Sequence, residues 1–119
     1  MTAQWARLEA DIESPLRRGA WYPVTRVSAT EVVVDVNRRP TAVLRKHMVL
    51  NPKPPTAWTV VPRPQGAVRM PASWGDTYAV CPNCRERSPL SDHPANLRCH
   101  KCNGYFPVAW NEGYLAQRQ

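Results

Sequence analysis

Four cysteines are the residues of this 119-residue chain best suited to chemistry, and their spacing narrows what that chemistry is. Cys81-Pro-Asn-Cys84 is followed, after fourteen intervening residues, by Cys99-His-Lys-Cys102. Two residues between cysteines make a tight turn whose sulfurs converge on one point. Two such turns at the ends of antiparallel strands complete a tetrahedron of thiolates around an ion, with Zn–S near ~2.3 Å. A four-thiolate site is closed to water and substrate, so the expected role is structural. Three other chemistries use the same residues: an iron site, a redox dithiol at Cys81 and Cys84, and paired disulfides. The dithiol needs a βαβ setting that is missing here. An iron carrier is expected to be smaller and acidic. Disulfides do not persist in a reducing compartment. Structural Zn²⁺ is the expected cofactor, held by Cys81, Cys84, Cys99 and Cys102.

Little else suggests catalysis. His100 lies inside the second cysteine pair and cannot easily reach the same ion. His93 sits in a Ser-Asp-His-Pro turn, and His47 follows Arg45-Lys46 on an expected surface. There is no Ser-His-Asp set, Gly-rich phosphate loop or paired-carboxylate pattern. The chain is expected to be no enzyme and to take no small-molecule substrate.

Charge points to a partner instead. Sixteen Lys+Arg oppose nine Asp+Glu, a formal net charge of +7. Residues 21–70 hold eight cations against Glu31 and Asp35, an excess of six. Four thiolates and one divalent ion would lower the total to about +5. Within this segment Arg26, Arg38, Arg39, Arg45, Lys46 and Lys53 are the candidate nucleic-acid contacts. Trp21, Tyr22 and Trp58 are candidate rings for stacking on bases. The alternative is that these rings form the core and the cations a solvated face.

The elements that position these groups follow from local pattern. Trp5, Leu8, Ile12 and Leu16 recur at steps of three, four and four, which predicts an amphipathic helix over about residues 2–13, capped by Thr2 and ended near Ser14-Pro15. EVVVDVN (residues 31–37) alternates Val32, Val34 and Val36 with a more polar face, as a half-buried antiparallel strand does. AWYPV, TAV and TAWTVV read as further strands separated by turn residues. The layout resembles small SH3-like or Tudor-like barrels over residues 19–62. Residues 63–76, rich in Pro and Gly, read as a stiff connector. From residue 77 to 110 the two cysteine pairs, flanked by Tyr78-Ala-Val80 and Tyr105-Phe-Pro-Val-Ala-Trp110, resemble a zinc ribbon, a rubredoxin-like knuckle pair. Arg85 stands where such a knuckle commonly has Gly, and Asn103-Gly104 follows the second pair.

The expected fold is mainly β with a short N-terminal helix: residues 1–18 helix, 19–62 barrel, 63–76 connector, 77–119 zinc ribbon and tail. The expected function is nucleic-acid binding, RNA or DNA, as an accessory factor in transcription, translation or RNA handling. A protein–protein adaptor within a larger complex is the alternative. No apolar run approaches the roughly 18 residues a membrane span needs. Without an apolar stretch at its start, the chain is expected to be cytoplasmic.

Overall fold

Runs of β-branched and aromatic residues separated by short turns make strands. The computed structural model describes residues 4–10, 12, 14–63, 71–112 and 114 and is mainly β. It divides into two units, residues 1–55 and residues 56–119.

The first unit contains β1 (Trp5–Leu8), β2 (Trp21–Val27), β3 (Glu31–Val36), β4 (Arg39–Leu44) and β5 (Met48–Asn51). They form one antiparallel sheet in the order β4-β3-β2-β1-β5. A 3₁₀ turn, Arg45–His47, joins the last two. The sheet is open, with β4 and β5 as its edges. Strand β2 shifts register between Val24 and Arg26, a bulge that lets its first half pair with β1 and its second with β3. Val32 and Val34 alternate into the core with Ala6, Leu8, Ala20, Tyr22 and Val43. A two-residue loop closes the β3–β4 hairpin. Both its residues, Asn37 and Arg38, have positive φ (51° and 69°), as the favoured tight hairpin turn demands.

The N-terminal expectation needs correction. In the described residues the segment expected to be helical contributes β1, paired with β2 on one side and with β5 on the other; Thr2 lies outside the described residues. Strand periodicity replaces helical periodicity. Ala6 and Leu8 are buried on one face, whereas Trp5 is only half-buried and Arg7, which would lie off the apolar stripe of a helix, is 5% exposed. Arg7 stands opposite Trp21, and its guanidinium lies 4.5 Å from that ring's centroid while Nε donates to Glu9 Oε2 at 2.8 Å. Two flanking strands give β1 hydrogen bonds and burial that a four-residue stretch could not find alone, and this overrides the local stripe.

The second unit holds β6 (Thr59–Pro62), β7 (Thr77–Val80) and β8 (Arg87–Pro89) in one sheet, and β9 (Asn96–Arg98) with β10 (Tyr105–Pro107) in another. A parallel bridge between Trp58 and Val108 joins the two pieces. Trp58 N–H donates to the Pro107 carbonyl at 2.9 Å, and Ala109 N–H donates to the Trp58 carbonyl at 3.0 Å. The first unit's sheet is open, and TAWTVV, expected as a strand of the barrel, is not part of it. TAWTVV lies in the second unit, where β6 pairs with β7. Residues 63–76 accordingly link two paired strands of one unit. Arg63 holds the described ends of that loop together, its N–H donating to the Asp76 carbonyl at 2.7 Å.

Candidate metal centre and basic surface

Each cysteine pair sits in a turn that repeats with an offset of eighteen residues. In the first, Arg85 N–H donates to the Cys81 carbonyl at 3.1 Å; in the second, Asn103 N–H donates to the Cys99 carbonyl at 2.9 Å. The strand then resumes, with Cys81 N–H donating to the Glu86 carbonyl and Cys99 N–H to the Gly104 carbonyl, both at 2.8 Å. Closing the turn so tightly requires positive φ at its fourth step, 67° at Arg85 and 64° at Asn103. Asn accepts this more readily than Arg, whose left-handed conformation costs roughly 1 kcal/mol. Gly104 is required for space: a Cβ there would stand 2.5 Å from Phe106 Cε2 and 2.8 Å from Cζ.

The four sulfurs lie within 4.8 Å of one another. Cys81 Sγ is 3.7 Å from Cys102 Sγ, and Cys84 Sγ is 3.5 Å from Cys99 Sγ. A tetrahedron with metal–sulfur bonds of ~2.3 Å has an edge of about 3.8 Å, so the spacing fits an ion and is far too long for S–S bonds. Asn83 N–H donates to Cys81 Sγ and Lys101 N–H to Cys99 Sγ, each at 3.4 Å, supplying partial positive charge to sulfurs that would be thiolates. Burial pushes the Cys81 thiol up to about 12 and the Cys84 thiol upward. Cys102 shifts down to about 6, because the Asn83 side chain and then the Gly104 backbone hydrogen-bond to it. The four cysteines could hold a metal ion, and their donor set suits a soft, tetrahedral one.

Packing extends the centre into the hydrophobic core. Cys81 and Cys99 are buried with Trp58, Ala79 and Val108, and Leu97, Phe106 and Trp110 pack against them. Trp58 Nε1 donates to the Leu97 carbonyl at 2.8 Å, and Trp110 Nε1 to the Pro94 carbonyl at 2.7 Å. His93 stacks on Trp110 at 3.7 Å, and exposed His100 lies 3.5 Å from Glu86.

The six basic candidates are all exposed, but they do not form one cluster. Arg38 occupies the β3–β4 turn and Arg39 opens β4. Arg45 and Lys46 lie at the other end of β4, about 20 Å away for six residues at about 3.3 Å each. Arg45 Nη1 donates to the Ser28 carbonyl at 3.0 Å, which ties it to the β2–β3 turn. Arg26 stands opposite Val33 in mid-sheet, and Lys53 follows β5. None of the six forms an ion pair among the described residues.

The aromatic candidates are corrected. Trp58 is fully buried and belongs to the second unit, and Tyr22 is a core residue whose hydroxyl accepts from Arg17 N–H at 2.9 Å. Trp21 is half-buried beneath Arg7. None of the three presents a free ring. Among the Trp, Tyr and Phe side chains of the described residues, Tyr105 is the exposed one, at 60%. Its signal in the sequence was the alternation of Tyr105 and Pro107 with inward Phe106 and Val108. No family model, curated protein or solved structure matches this chain.

Proposed function

We propose that this is a non-enzymatic Zn²⁺ protein that binds nucleic acid through the first unit, with the metal holding the second unit's fold. The observation that carries the binding is the set of six exposed cations on residues 26–53 that lack acidic partners among the described residues. Arg38 adds weight, because it occupies a left-handed turn position that glycine would fill without strain. The open stretch from one end of β4 to the other suits tracking along a phosphate backbone. With Trp21, Tyr22 and Trp58 covered, this surface would read charge and shape, so its binding should be strongly salt-dependent.

The paired turns, the sulfur spacing and the flanking strands support reading the second unit as a zinc ribbon. The order β4-β3-β2-β1-β5, the bulge in β2 and the 3₁₀ turn before β5 support an SH3-like reading of residues 5–51. Free thiols suit a reducing compartment such as the cytoplasm. The adaptor reading draws on the exposed Val27, Leu44 and Val49. A binding titration with RNA and DNA over a salt series separates the two. Nucleic-acid binding predicts log K falling by about 0.7 to 0.9 per phosphate contact as log salt rises. Changing Arg38, Arg39, Arg45 and Lys46 together to Glu should abolish binding. A chain that binds neither nucleic acid, but holds a protein partner at high salt, would favour the adaptor.

A further inference from the structure

Tyr105 and Arg98 are directly opposed across the β9–β10 pair, beside the second cysteine turn. Their neighbours Leu97 and Phe106 turn inward onto the metal-centre core, while Asn96 and Pro107 share the outer face. Arg98 is fixed by Nη1 donating to the Asn103 carbonyl at 3.0 Å, and its guanidinium lies 5.1 Å from the Tyr105 ring centroid. The ring remains 60% exposed even so. Lys101 is exposed in the same cysteine turn, and neither it nor Arg98 forms an ion pair among the described residues. The backbone entering Tyr105 is held by Cys99 N–H on the Gly104 carbonyl.

We infer that this face of the second unit is a stacking platform for an unpaired base of single-stranded nucleic acid. Tyr105 would offer its ring, and Arg98 and Lys101 would take the adjoining phosphates. The inference rests on the nucleic-acid reading and deepens it, since it assigns base contact to a unit that reading uses only as a metal-held fold. A duplex hides its base faces within the stack, whereas an unpaired base presents a π-face that any such ring can meet. An exposed aromatic opposite Arg98, with exposed Lys101 four residues before it in the chain, would therefore distinguish single strands from duplexes and tolerate any sequence.

The test is fluorescence anisotropy at low salt with labelled oligouridine, labelled oligothymidine and a labelled blunt duplex. The wild-type chain is compared with Tyr105→Ala, Tyr105→Phe and the four-fold Glu variant of the first unit, all matched for metal content. Tyr105→Ala should weaken binding of at least one single strand by roughly 5- to 150-fold and leave duplex binding and the salt slope unchanged. Tyr105→Phe should stay near wild type, because the ring is kept. Tight wild-type binding that Tyr105→Ala leaves intact, or that it weakens equally on duplex, overturns the platform and spares the first-unit reading. Selective loss in Tyr105→Ala, together with full binding by the Glu variant, supports the platform and overturns the first-unit reading. A wild-type chain that binds none of the three probes overturns both.

Discussion

The two units solve the problem of holding a small β structure together by different means. In the first, strands of six and seven residues (β2, β3, β4) carry long ladders, and Val32, Val34, Leu8 and Tyr22 are among its buried core residues. In the second, three of the five strands are three residues long. Two of its core residues are cysteines, Cys81 and Cys99, each close to a sulfur of the opposite turn, Cys102 and Cys84 respectively. Strands that short close few hydrogen bonds, so the ladders of the second unit contribute less stability than those of the first. Under the proposed zinc reading, strand length would set the need for a metal: where ladders are long the side-chain core would suffice, and where they are short an ion would join the turns.

The sharpest way to break this comparison is to remove a ligand. Cys99→Ser, or chelation, should unfold the second unit and spare the first, since metal binding would supply about 10–16 kcal/mol of apparent folding energy there. Near-ultraviolet circular dichroism follows Trp58 and Trp110, and elemental analysis should find one zinc per chain. A second unit that keeps its tryptophan signal without metal would refute the contrast, and a red, iron-loaded protein would change the identity of the ion.

Leu8→Ala tests the other side. Leu8 is 1% exposed in β1, and truncating it should cost the first unit about 2–5 kcal/mol. Denaturant melts should show that loss with metal affinity unchanged. A cost below about 1 kcal/mol would mean that β1 is not the structural strand described.

Gly104→Ala is smaller and falls on the second unit. Its methyl would press on the Phe106 ring at 2.5 and 2.8 Å, so about 1–3 kcal/mol should be lost. Competition with a chromogenic chelator would register weaker metal retention. Smallest of all, Arg38→Gly should stabilise the first unit by about 1 kcal/mol by relieving the positive φ. It should also reduce nucleic-acid affinity. Gains in both stability and binding would show that Arg38 contributes nothing to the proposed surface.

Convergence of the four cysteines was legible in the sequence, because a two-residue spacer leaves a turn few ways to close. So was the mainly β character of residues 21–61, since alternation in EVVVDVN and the density of β-branched residues are local properties. The three-, four- and four-residue steps of Trp5, Leu8, Ile12 and Leu16 were legible too, but they pointed to a helix. Only pairing with β2 and β5, up to 46 residues away in the register of Trp5 with Asn51, makes residues 5–8 a strand.

The same limit separates the basic residues from the aromatic ones. Charge draws a side chain to the surface unless the fold supplies partners for it: Arg26, Arg38, Arg39, Arg45, Lys46 and Lys53 are exposed, whereas Arg7, held by Glu9 and the Trp21 ring, is buried in β1. A ring serves equally well in a core or on a face, and nothing local reveals which. Trp58 went inward because its backbone bridges to Val108 and its indole N–H finds the Leu97 carbonyl. Tyr105 stayed outward because Phe106 took the inward place beside Gly104. Proline behaved similarly: residues 52–55 and 62–64 look alike as punctuation, yet the unit boundary falls after Pro55, because β6 found its partner in β7. Residue type and short spacing determined which groups could do chemistry here. Strand pairing across the chain, which no short window contains, decided which of them share a surface.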